Sequence, residues 1–218
     1  EMQRSLVGSE MCIRDSLTTG SAIYFMKHVL GNGSLLGLFS MMKMFPVIIA
    51  LIFTPILVKK TGSMQKVNFW GYVISDILGI FLIIFAMQKN LPMMLLFMFL
   101  KGTFAGTMSG TLNALIAEIS GYTYRTKGVH IDGMMFSCSS LGVKVGGGIG
   151  TAAVGWLLHA AGYAGKAATQ TAAATNMIFS MYITIPVILG VVITILLGLM
   201  KVEKENKRID MERAEQAD

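Results

Sequence analysis

The chain has 218 residues, 54% of them hydrophobic and only 14% charged, with a formal net charge of +6 and a mean hydropathy of +0.64. Soluble domains carry about 25% charged residues, so this composition cannot dress a water-facing surface, and the class is all-α transmembrane with the lipid bilayer as partner. The basic residues gather at the ends of apolar runs, which is the positive-inside pattern and not a phosphate-tracking stripe, so nucleic acid is excluded as a partner.

Residues 1–16, EMQRSLVGSEMCIRDS, are polar and aperiodic, with neither the apolar core nor the cleavage site of a signal peptide. SLVGSEMCIRDS resembles translated sequencing-adaptor sequence, so the segment is read as non-native or disordered and set aside, Cys12 included. Residues 17–31 are apolar but short of the about 20 residues a crossing needs, and read as the latter part of a truncated helix. Residues 36–58 form the first complete span, interrupted by Pro46 and Pro55, which bundled membrane helices tolerate. The loop KKTGSMQK brings Lys59, Lys60 and Lys66, and residues 67–87 form the next span with Trp70 and Tyr72 as interface anchors.

After QKNLP, residues 92–116 form a third span. A charged loop follows, then a fourth span at 133–158, a small polar outer loop, and a last span at 177–200. The tail, residues 201–218, holds five basic and six acidic residues and reads as cytoplasmic. Loops 59–66, 120–130 and 201–218 carry three, two and five Lys or Arg, against Lys89 and Lys166 on the other side with Lys27 at a border, so the C-terminus is placed in the cytoplasm.

Gly102, Gly106 and Gly110 recur every four residues in the third span, and Gly142, Gly146 and Gly150 do so in the fourth. Small residues at this spacing let helix backbones approach closely, so both stripes read as helix packing. Rotating the fourth span at about 100° per residue sets Lys144 opposite that glycine face, in company with Ser137, Ser140, Gly148, Thr151 and Gly155. An ammonium within a lipid-length helix is costly and reads as functional, here as part of a solvated path, with snorkelling to the interface as the bland alternative. Lys43, Lys101 and Asp76 also fall within spans and read as bundle pairs or snorkelling groups.

No catalytic or metal constellation emerges. His28, His130 and His159 are scattered, two cysteines make no metal or redox site, and the GxGxxA of residues 148–153 lies inside an apolar span where no dinucleotide fold can form. The chain is therefore expected to be neither an enzyme nor a holder of a metal or cofactor.

Glu118-Ile-Ser-Gly-Tyr122, Thr126-Lys-Gly128, His130, Asp132-Gly133 and Phe136-Ser137 resemble the pattern D-x-x-D-Y-G-E-x-K-T-G-x-R-x-E-G-x-x-F-S. Lys144, Gly146 and Gly147 resemble the lysine and glycines that follow it. This pattern belongs to the glycoside–pentoside–hexuronide:cation symporters, the melibiose-carrier family of the major facilitator superfamily. Gly20-Ser-Ala-Ile-Tyr24-Phe25 and Val29-Leu-Gly31 are similar to that family's seventh helix. The likeness runs from Leu17 to about Met200 and is carried mainly by the loop.

The resemblance implies the C-terminal six-helix half of a major facilitator fold, its first helix truncated and the N-terminal six-helix half missing from the sequence. It implies a fragment of a cation-coupled sugar or glycoside symporter working by alternating access; a non-transporting membrane scaffold or sensor of the same fold is the alternative. Lys144, Ser137, Ser140, Thr151 and Tyr24 would line the substrate and cation path. Glu118, Tyr122, Arg125, Lys127, His130 and Asp132 would form the cytoplasmic gate. Gly121, Thr123-Tyr124 and His130 depart from the pattern, which implies a gate weaker in charge, and a histidine there would make closure depend on pH. A coupling cation, Na+ or H+, would have its main site in the N-terminal half.

Overall fold

The computed structural model describes residues 2–128, 132–165, 167, 169–199 and 208. All regular structure among these residues is helical: α1 (Met2–His28), α2 (Leu35–Thr61), α3 (Met64–Met87), α4 (Leu91–Ala105), α5 (Thr107–Lys127), α6 (Asp132–Ala160), α7 (Ala172–Phe179), a π turn (Ser180–Thr184) and α8 (Ile185–Leu199). α4 runs into α5 at Gly106, and α7 into α8 through the π turn, so the elements make six rods. Five stretches are long and apolar enough to cross a membrane: Leu35–Thr61, Met64–Met87, Leu91–Ala114, Gly133–Ala160 and Ala172–Leu199.

Local chemistry sets the rod ends. α2 passes through Pro46 and Pro55 and stops at Gly62, whose φ of 62° is a conformation glycine adopts without strain and whose N–H returns to the Val58 carbonyl. Ser63, Asn90 and Thr171 open α3, α4 and α7, each side-chain oxygen accepting a backbone N–H of the first turn. The π turn precedes Pro186, which has no N–H to return to the Tyr182 carbonyl. The ladder widens there, and the Ile185 N–H reaches back to Ser180 O.

Two boundaries differ from the sequence reading. No break separates residues 1–16 from the helix placed at 17–31, because α1 is continuous from Met2 to His28. Ser9, Cys12, Ile13 and Ser16 recur at helical spacing, and a Cβ built on Gly146 or Gly150 would meet Ser9 O or Ile13 O at 2.7 Å. Cross-helix approach to these glycines, rather than apolar content, marks that part of α1. The segment after residue 116, read as loop, is helical to Lys127. Polar residues do not halt a helix by themselves; the stop is Gly128, at φ 68° with its N–H on Tyr124 O.

α1 packs along α6, α3 lies against α4 and α8, and α2 lies against α4. The main core holds Phe25, Met26, Phe39, Met94, Ile178 and Met181, and a smaller one gathers Tyr72, Met108, Ile193 and Leu197. Outside, Met44, Ile52 and Phe53 on α2 and Ile195 on α8 are exposed. In water so much apolar surface would drive association; against acyl chains it is the matching surface.

Candidate functional site

α6 presents two faces with opposite duties. Gly146 and Gly150 lie against α1, and Ser9 Oγ donates to Gly142 O at 3.2 Å. The other face bears Lys144, exposed beside a cleft of about 400 Å³ lined by Phe136, Ser137, Ser140, Leu141 and Lys144. Ser137 and Thr151 donate to the carbonyls of Gly133 and Gly147 at 2.7 and 2.9 Å. Their donors are thus spent within the helix, while the oxygens keep acceptor capacity. The cleft combines a cation, hydroxyl oxygens and an aromatic ring, which together suit a polyhydroxylated solute.

Gly102, Gly106 and Gly110 form the matching stripe toward α2. A Cβ on Gly106 would fall 2.8 Å from Ala50 Cβ and 3.2 Å from Val47 Cα, while one on Gly102 or Gly110 would meet Pro46 at 3.0 Å or Leu51 at 2.9 Å. Pro46, a span interruption by sequence, is here a flat surface for a glycine.

Tyr24 lies away from the Lys144 face, in an aromatic group at the end of α1. Its ring meets Tyr163 edge-on at 5.2 Å, and the Tyr163 hydroxyl lies 3.2 Å from His28 Nε2. Partial burial, with Tyr24 adding to it, holds the Tyr163 phenol above its usual range. Sequence reasoning singled out Tyr24 and not Tyr163, because a tyrosine in a small polar loop carries no spacing that ties it to a helix far away in the chain.

Of the gate residues, His130 lies outside the described residues, as do the side chains of Glu118, Tyr122, Arg125, Lys127 and Asp132. The backbones of Glu118, Tyr122, Arg125 and Lys127 belong to the last turns of α5, and Asp132 begins α6. Lys166 and most of the tail are likewise outside them.

The other intramembrane charges separate. Lys43 on α2 pairs with Asp15 of α1 at 2.8 Å and donates to Thr19 Oγ1 at 2.7 Å. Asp76 on α3 is buried and accepts from Thr194 Oγ1 of α8 at 2.6 Å. Lys101 of α4 lies one turn further along, its Cε 3.5 Å from where a Cβ on Gly79 would stand. Thr194 was not legible beforehand, since a threonine within an apolar span is ordinary. No group of three or more His, Cys, Asp or Glu able to hold a metal occurs among the described residues.

Comparisons with known proteins agree with the resemblance read from the loop and Lys144. The chain is 27% identical over 182 residues to the isoprimeverose transporter of Lactiplantibacillus pentosus, covering 84% of this chain and 37% of that protein. It is 24% identical over 205 residues to the putative glycoside/cation symporter YagG of Escherichia coli, covering 91% of this chain and 44% of the relative. An uncharacterised 29.9 kDa protein of Pseudescherichia vulneris is 26% identical over 174 residues, 78% of this chain and 62% of that one. The chain therefore spans less than two thirds of the length of these relatives. The family model described as MFS/sugar transport protein matches residues 12–204, and the chain, a multi-pass helical membrane protein, belongs to that family of transporters.

Proposed function

We propose that this chain is part of a secondary transporter that carries a sugar or glycoside together with a cation by alternating access. The observation that carries the reading is the face of α6, where Lys144 shares an open cleft with Ser137, Ser140 and Phe136. Hydroxyls and an ammonium suit the donors and acceptors of a sugar, and the phenyl ring suits its apolar face. The names of two relatives, an isoprimeverose transporter and a putative glycoside/cation symporter, support the substrate class and the coupling. The N-terminal half of the full-length protein is the partner that closes this cleft. The last turns of α5 and the start of α6 form the inner gate with it, and the C-terminus lies in the cytoplasm.

The test is uptake of a labelled glycoside into cells or proteoliposomes containing the full-length protein, with and without a sodium or proton gradient. Gradient-dependent accumulation is expected. Binding of the glycoside with no accumulation under either gradient would favour a scaffold or sensor of the same fold.

A further inference from the structure

Three side chains on one stretch of α3 hold polar atoms with no hydrogen-bond partner: Tyr72 OH, Ser75 Oγ and Asp76 Oδ1. All three residues are more than nine-tenths buried, at 0%, 1% and 7% exposure. Buried polar atoms are almost always paired, so three orphans within two turns leave an ionised carboxyl here short of hydrogen bonds. Asp76 makes no ion pair among the described residues. Lys101 from α4 and Arg14 from α1 act on it through space, and Arg14 is held over the Tyr72 ring at 5.5 Å. α8 brings no titratable group, only Thr194 and the bare backbone of Gly190, against which Oδ1 rests. No charged group of α2, α5 or the π turn acts on the carboxyl among the described residues.

Thr194 supplies the decisive geometry. Its Oγ1 stands 2.6 Å from Asp76 Oδ2 and 3.1 Å from the Gly190 carbonyl, and a hydroxyl has one hydrogen to give. With Asp76 ionised, that hydrogen goes to Oδ2. With a proton on Oδ2, the carboxyl donates to Thr194 Oγ1 and the hydroxyl turns its hydrogen to Gly190 O. In both states Oδ2 and the Thr194 hydroxyl keep a partner through one rotation, with no heavy atom moved, while Oδ1 stays unpartnered. A sodium ion would instead need a shell of several oxygens drawn close around it.

We infer that Asp76, with Thr194 as its switching hydrogen-bond partner, is a proton-binding site of this half of the protein, between α3 and α8 and apart from the Lys144 cleft. A hydronium ion of the aqueous phase gives up the proton, its O–H bond breaking as one O–H bond forms at Oδ2, and the Thr194 hydroxyl changes acceptor; no other covalent bond is made or broken. Its use in coupled uptake rests on the transporter reading, whereas proton binding does not.

The experiment is infrared difference spectroscopy of the full-length protein in lipid vesicles, acid minus alkaline, for the parent, Asp76→Asn and Thr194→Val. A carboxylic C=O band is expected in the parent, absent from Asp76→Asn and shifted to higher frequency in Thr194→Val, where the carboxyl loses its acceptor. A spectrum unchanged by Asp76→Asn overturns the proposal. If that variant does not fold, an unshifted band in Thr194→Val overturns it instead. Replacing choline by sodium at fixed ionic strength should leave the band in place, and its displacement would make the site a sodium site. The spectrum reads the proton whether or not glycoside moves, so a failed uptake assay leaves this result standing.

Discussion

Lys144 and Gly106 show what one position can decide. Hydrogen bonds to a charged group contribute about 1.5–3 kcal/mol, so Lys144→Ala is expected to lower glycoside uptake by the full-length protein roughly ten- to hundredfold. Its amount in the membrane should not change, because the side chain is exposed and packs no core. Undiminished uptake would remove Lys144 from the path. Gly106 is the opposite case. Its missing Cβ leaves room for Ala50 and Val47 of α2, so Gly106→Leu should destabilise the bundle by about 1–3 kcal/mol through overpacking. A thermal unfolding scan in detergent reads this as a lower midpoint. Gly148→Ala is the control, since a Cβ there meets nothing within 4 Å, and its midpoint should not fall.

At the scale of an element, polar pairs between rods matter because acyl chains provide no competing partners. Asn68 of α3 and Thr111 of α5 are buried together, the amide and hydroxyl 2.7–3.0 Å apart. Thr111→Val keeps the shape and removes the hydroxyl, and interhelical bonds of this kind in a bilayer contribute about 0.6 kcal/mol on average. A small drop in thermal midpoint is therefore expected, clearly less than that of Gly106→Leu. A larger loss would mean that α3 and α5 depend on this one pair. Much of the rods was legible in residue order: each of the five spans placed by apolar length has a counterpart here. The break between α4 and α5 at Gly106, the π turn ahead of Pro186 and the docking of residues 8–16 were not. Each depends on what a neighbouring rod or a missing N–H does to the ladder, and hydropathy does not register that.

For the molecule as a whole, charge asymmetry at the loops predicts the orientation in the membrane. In a background with Cys12 and Cys138 replaced by serine, a cysteine at Ala164 should react with a membrane-impermeant maleimide added to intact cells. One at Thr61, beside Lys59 and Lys60, should react only after the cells are opened. The reverse pattern would invert the topology. Because Ala164 follows the end of α6 opposite Gly133, the same labelling also reports which end of the Lys144 face meets the outside.

Residue order alone determined that this chain lives in lipid, how many rods it contributes, which helix faces are glycine and which carry Lys144. Those properties follow from side-chain transfer energies and the helical repeat, which act locally. Only the assembled structure decided which charges meet. Lys43 found Asp15, whereas Asp76 found a hydroxyl on α8 and kept one oxygen unpartnered. Pairing across rods depends on register and rotation set by packing over the whole bundle, so residues 118 positions apart in the chain come to share a single hydrogen.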